Sequence, residues 1–249
     1  MLARRVIPVL LARGHQLVKG ERFNSWRSVG HVLQAAKIHQ ARGVDELIVL
    51  DIGATPERRG PDFEFIEKLT SECFMPLTVG GGVRSVEDVR WLLALGADKV
   101  AICTAAVANP CLIAECASRF GSQAIVVAID VSDGRVVTEC NGRAWYIGPP
   151  EKWAQSCEYN GAGEILLTSV DRDGTLQGYD LELVRRVSEA VSVPVIAAGG
   201  CSGYEDMRLA IEAGASAVAA GSLFQFGDAT PRGAAEYLAA HGIEARLAA

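Results

Sequence analysis

GVDELIVLDI (43–52) and GAGEILLTSV (161–170) occupy equivalent points of a duplicated sequence. All of residues 43–102 recurs 118 positions later as 161–220, with its landmarks in place. Gly43 meets Gly161, Glu46 meets Glu164, and Asp62 meets Asp180. Pro76 meets Pro194, Gly81-Gly82 meets Gly199-Gly200, and Gly96-Ala97 meets Gly214-Ala215. The repeated unit contains whole strand and helix patterns, so it is a large half-domain and not a short solenoid repeat. Two equal halves predict a site with approximate two-fold symmetry and two similar ligand-holding ends.

Outward from that stretch, short apolar runs alternate with amphipathic segments. The runs predict strands at Arg5–Leu11, Glu46–Ile52, Pro76–Val79, Lys99–Ile102, Ala124–Asp130, Glu164–Ser169, Pro194–Ala198 and Ala217–Ala220. They are continuous, as parallel strands covered on both faces require. Helices are expected at Asp62–Thr70, Ser85–Leu95, Asp180–Ala190 and Tyr204–Ala213. Ser85 with Asp88 three residues on makes a capping-box pattern, and Gly96 follows the helix end. Eight β/α units without a linker-like stretch predict an α/β fold: one closed (β/α)8 TIM barrel over 1–249, with half-barrels of about 1–122 and 123–249. Ala12–Gly30 and Val131–Pro150 depart from the theme. They read as long loops or small hairpins over the barrel mouth.

The bulk numbers narrow the function. The chain has 249 residues, enough for one substantial core, and is 49% hydrophobic and 22% charged, as in ordinary globular proteins. A net charge of -6 with no basic stripe argues against nucleic acid. No apolar run reaches the ~20 residues of a membrane span. The seven cysteines are scattered without a C-x-x-C, which points to reduced thiols in a cytoplasmic protein. The four histidines form no metal-ligand motif, so neither metal nor cofactor is expected.

In this fold the chemistry lies at the C-terminal ends of the strands. Gly80-Gly81-Gly82 follows one strand, and Gly199-Gly200 follows its repeat mate. Glycine lets the backbone approach a ligand and aim N–H groups at it. The next strand of each half ends in small residues, Cys103-Thr104 and Gly221-Ser222, opening onto a helix start that favours phosphate. The glycines alone would also suit tight turns. Two such sets in register point to two phosphate cradles and an elongated substrate anionic at both ends.

Asp51 and Asp130 both close a strand at this face, where a carboxylate could transfer protons, cap a helix or organise a loop. Asp130 aligns with Leu11 in the other half, and a leucine transfers no proton. Asp51 aligns with Ser169. Asp171 and Asp173, in the loop DRDGT, are further candidates for positioning a phosphate or hydroxyl. At the opposite rim, Arg5, Glu46, Lys99 and Glu164 stand at four strand starts with two charges of each sign. They are either solvated strand ends or a salt-bridged plug.

The blocks GVDELIVLDI, PLTVGGG, GADKVAICTAAV, FGSQAIVVAID, GAGEILLTSVDRDGT and PVIAAGG closely resemble the cyclase (synthase) subunit of imidazole glycerol phosphate synthase, nearly end to end. The sister isomerase family of histidine synthesis shares the half-barrel repeat but matches these blocks less well. The resemblance implies a lyase of histidine biosynthesis that forms a heterodimer with a glutaminase at the N-terminal barrel face. Ammonia would enter there, pass along the barrel, and meet a ribulosyl bisphosphate substrate at the opposite mouth. Arg5, Glu46, Lys99 and Glu164 match the family's ammonia gate. Gly81, Gly82, Thr104, Asp173, Gly174, Gly199, Gly200 and Ser222, together with Gly221 and Asp51, are counted as substrate- and phosphate-holding. Lys19 matches the first-loop lysine, and Asp130 matches one catalytic aspartate.

The departures all lie at the mouth. Leu11 replaces the family's other catalytic aspartate, Cys103 replaces an asparagine, and Ala101 and Ala198 stand where hydroxyl residues are common. SECFMPL and GPPEKWAQ look like divergent paralogues found beside sugar amidotransferases of surface-polysaccharide synthesis. Two readings therefore stand. In one the chain is a cyclase-type subunit. In the other it is a catalytically impaired paralogue that activates a glutaminase and relays ammonia to a sugar amidotransferase.

Overall fold

Eight parallel strands close on themselves around one axis. A computed structural model describes residues 3–140 and 143–246, with 139, 140 and 143–146 described in backbone only. The barrel strands are β1 (Arg5–Arg13), β4 (Leu47–Asp51), β5 (Leu77–Gly80), β6 (Lys99–Ile102), β7 (Ile125–Ser132), β10 (Glu164–Ser169), β11 (Val195–Ala198) and β12 (Ala217–Ala220). Each pairs in parallel with the next, and β12 returns to β1 through Arg5↔Ala217 to Pro8↔Ala220. The fold is a (β/α)8 TIM barrel.

The remaining strands are two hairpin extensions. β2 (Gln16–Glu21) and β3 (Asn24–His31) fold back from β1, while β8 (Arg135–Cys140) and β9 (Arg143–Tyr146) fold back from β7. The sequence ends the parent strands at Leu11 and Asp130. The structure carries them two residues further, because their upper ends share antiparallel hydrogen bonds with β2 and β8. Residues 141–142, inside the segment read as a loop or hairpin, lie outside the described residues, as do 1–2 and 247–249. Pro76 and Pro194 fall just before their strands, since proline has no N–H to give the ladder.

The outer layer includes α1 (Val32–Ala41), α2 (Phe63–Glu72), α3 (Val86–Ala94), α4 (Thr104–Ala108), α5 (Cys111–Phe120), α6 (Pro150–Tyr159), α7 (Leu181–Ala190), α8 (Tyr204–Glu212), α9 (Leu223–Phe226) and α10 (Pro231–Ala240). Asp62 caps α2 by accepting from the Phe65 N–H, and Asp180 caps α7 by accepting from the Leu183 N–H. The expected capping box forms at α3: Ser85 accepts from the Asp88 N–H, and the Asp88 carboxylate accepts from the Ser85 N–H. Among the described residues, no helix is long and apolar enough to cross a membrane.

Alternate strand residues point to the axis, so one buried cluster fills the barrel. It contains Ile7, Ile48, Ala101, Val126, Ala128, Leu166, Ile196, Ala217 and Ala219, with Val9, Leu50, Cys103 and Ala198 packed above. The opposite faces of the same strands, such as Leu47 and Val49, pack under the helices. This alternation places the next residues outward along the axis at either mouth.

Candidate active site

At the N-terminal mouth the axis ends in charge. Arg5, Glu46, Lys99 and Glu164 form a closed alternating ring. Arg5 pairs with Glu46 at 2.7 Å and with Glu164 at 3.0 Å, and Lys99 pairs with each of the same two carboxylates at 3.1 Å. Buried Thr78 donates its hydroxyl to Glu46 at 3.1 Å. All four strand-start charges therefore meet, and none is a free solvated end. Desolvation works against the Arg5 cation, but the two carboxylates outweigh it and raise its pKa.

The C-terminal mouth opens into a cavity of about 740 Å³. Its lining includes Leu11, Lys19, Asp51, Gly81, Gly82, Thr104, Asp130, Asp173, Gly174, Gly199, Gly200, Gly221 and Ser222, so the residues that the sequence assigned to substrate meet there, with the candidate Asp171 outside the lining. Phe23, Trp26, Thr138 and Thr168 also line it. They carry no sequence signal of their own, because the hairpins and the strand twist decide which of their faces looks inward.

The two glycine turns repeat one packing scheme. Gly81 and Gly82 have φ of +108° and +72°, and Gly199 and Gly200 have +91° and +96°, the left-handed region open to glycine. A Cβ on Gly81 would run into the Asp51 carbonyl, and one on Gly199 into the Ser169 carbonyl. Asp51 and Ser169 are repeat mates, so the two halves use the same contact. Next to each turn a helix begins, α4 at Thr104 and α9 just after Ser222. The Thr104 hydroxyl lies 2.7 Å from that of Thr138 on β8, which ties the start of α4 to the second hairpin.

Asp130 stands near the axis beside Cys103, whose thiol donates to Asp130 Oδ2 at 3.6 Å. Burial pushes the Asp130 pKa up to about 6; bonds from Cys103 and Thr168 lower it, and the charge of Asp173 raises it. Burial and the same carboxylate hold Cys103 as a thiol. Leu11, paired with Leu50 on β4, brings a hydrocarbon surface to the same cavity.

Lys19 on β2 is 95% buried even though it is a charged residue: its relative exposure is 5%. Its Nζ reaches the space beside Gly221 where a Cβ would point. Burial lowers its pKa to about 8, against the pull of Asp173. Asp173 is itself pushed up to about 6 by burial, with Lys19 acting the other way. The hairpin that carries Lys19 lands on this loop, since Arg22 N–H donates to the Asp173 carbonyl at 2.9 Å and Gly174 lies against the Gly20 carbonyl. Asp171 sits beside the turn between β7 and β8. It accepts from the Ser132 hydroxyl at 2.8 Å and the Asp133 N–H at 2.9 Å, clasping that turn.

A family model described as histidine biosynthesis protein matches residues 5–230. The chain belongs to that histidine biosynthesis family. The match covers both halves of the barrel, both hairpins and the short helix α9, so the charge ring and the cavity lie inside it.

Within this histidine biosynthesis barrel, Asp51 shows a partner that sequence reasoning missed. Arg59 grips it with two bonds, Nη1 to Oδ2 at 2.6 Å and Nη2 to Oδ1 at 2.9 Å, and the Gly53 N–H adds a third at 3.0 Å. Asp51 lines the cavity with both oxygens already engaged. The repeat offered no cue, because Arg59 aligns with Gln177.

Proposed function

We propose that this chain is the synthase-type subunit of a glutamine amidotransferase complex of the imidazole glycerol phosphate synthase kind. Ammonia released by a partner glutaminase enters at the charge ring, moves along the barrel axis, and reacts at the C-terminal mouth with a bisphosphate substrate. One observation carries this reading: the ring and the twin-cradled cavity occupy opposite ends of one apolar axis. A ring of zero net charge suits a small neutral guest better than an ion. The glycine turns and helix starts suit an anionic group at each end of the substrate.

The chemistry asks for addition of ammonia to the substrate, scission, and closure of an imidazole ring, each with proton transfer. Asp130, with a pKa near 6, is mostly ionised at pH 7 and close enough to that pH to act as base and then as acid. Lys19 beside Gly221 supplies a positive charge at the second cradle.

Leu11 favours a second reading. With one proton carrier of the expected pair absent, the barrel would serve chiefly to activate the glutaminase and relay ammonia to a sugar amidotransferase. A steady-state assay with the ribulosyl bisphosphate and ammonium salts separates the two. Turnover above buffer, extended to glutamine when a glutaminase is added, is the expected result. Buffer-level turnover together with stimulation of the glutaminase moves the chain to the relay reading. Neither turnover nor glutaminase binding would remove both.

A further inference from the structure

Each glycine turn is backed by a loop that its own half supplies. Gly82 rests against residues 54, 59 and 60, and Gly200 against 172 and 178. Positions 54 and 60 are the repeat mates of 172 and 178, so the backing is duplicated along with the turn. A Cβ on Gly82 would come within 2.8 Å of the Arg59 carbonyl oxygen and 2.9 Å of Ala54 Cβ. One on Gly200 would come within 2.8 Å of Arg172 Cβ and closer still to the Gly178 carbonyl. The backing loop thus fixes where each turn aims its N–H groups.

What holds each backing loop differs between the halves. In the first, the guanidinium of Arg59 reaches back to the end of β4 and grips both oxygens of Asp51, so residues 51–59 form a closed loop. In the second, Asp51 has become Ser169 and Arg59 has become Gln177. There Arg172 reaches forward instead, and its Nη1 donates to the Gln177 carbonyl at 3.0 Å. The neighbouring Gly178 N–H donates to the Gly200 carbonyl at 2.8 Å, which fastens the loop to the turn itself.

We propose that Arg59 and Arg172 are positioning residues, one strut for each anion cradle, and that each sets anion affinity in its own half alone. The proposal rests on the two-anion reading of the mouth and goes beyond it by naming what holds each cradle in shape. Neither arginine needs to touch the ligand. A bidentate guanidinium–carboxylate pair is geometrically demanding, so lysine at 59 keeps the charge and loses the fork.

The test is a titration of the full-length, 15N-labelled chain with inorganic phosphate, read at individual glycine amides. Gly81 and Gly82 report the first cradle, and Gly199 and Gly200 report the second. Arg59→Gln is expected to weaken phosphate about tenfold at the first cradle, which corresponds to about 1.4 kcal/mol, and to leave the second unchanged. Arg172→Gln is expected to do the reverse, and Arg59→Lys to recover only part of the loss. In each variant the untouched cradle serves as the folding control. Equal weakening at both cradles by either variant, or no weakening at either, overturns the proposal. If the glycine amides of the unsubstituted chain ignore phosphate, the two-anion reading itself falls, and the struts with it.

Discussion

Leu11 and Asp130 hold matching places on β1 and β7 and line one cavity, so their inequality is a chemical asymmetry on a symmetric frame. Leu11→Asp is expected to raise ammonia-dependent cyclase turnover by about 10²-fold, the lower end of what a general acid or base contributes. No gain in the steady-state assay would mean that Cys103 and the alanines have changed the mouth as well. The acidic limb of the pH profile belongs to Asp130 and lies near pH 6, so turnover should fall as pH drops through that value, and Asp130→Asn should abolish turnover. Lys19 makes the opposite kind of demand. Its pKa is about 8 in the fold and near 10.4 when unfolded, so below pH 8 the unfolded state holds the proton more tightly and the buried charge opposes folding. Lys19→Met should therefore stabilise the ligand-free chain by about 2 kcal/mol at pH 7, measured by urea unfolding. The gain should shrink as pH rises from 8 past 10.5, where the native and unfolded lysine both lose the proton. The same substitution should weaken phosphate at the second cradle.

At the scale of elements, the repeat makes a paired prediction about the helices. Asp62 and Asp180 are mates, and each accepts one N–H of its own helix's first turn. Asp62→Ala and Asp180→Ala should each cost about 1 kcal/mol in urea unfolding, and the double variant should cost close to their sum. Effects of very different size would show that one half leans on its cap more than the other. The elements were legible in the sequence because continuous apolar runs, caps and glycine stops follow local rules. The positions of the ladder ends were less so: β1 and β7 run past Leu11 and Asp130 because antiparallel partners from the hairpins extend them. Local pattern also could not reveal that the hairpin turn places Arg22 and Phe23 at φ of +50° and +57°, a conformation that glycine or asparagine would ordinarily supply.

At the scale of the molecule, the charge ring joins four strands that are far apart in the chain. Its members could be placed at one rim from their strand positions, yet their convergence depends on barrel closure, which brings side chains separated by 41 to 159 residues into bonding distance. Arg59 and Arg172 escaped for the same reason, since a loop arginine acquires its meaning from what the fold puts beside it. Because Glu46 is nearly buried, removing one partner leaves charge without full compensation. Arg5→Ala should destabilise the barrel by about 3 kcal/mol. The cycle of Arg5→Ala with Glu46→Ala should show a coupling of about 1 kcal/mol or more, measured by denaturation. Additive losses would show that Arg5 and Glu46 act independently. One consequence of the glycine turns reaches further. Gly81 on the Asp51 carbonyl and Gly199 on the Ser169 carbonyl are main-chain contacts, indifferent to whether the residue beneath carries an acid or a hydroxyl. A frame fastened backbone to backbone lets an acid stand at one strand end and a hydroxyl at its mate while both halves keep one shape, so side-chain chemistry can diverge between the halves without the architecture registering the change.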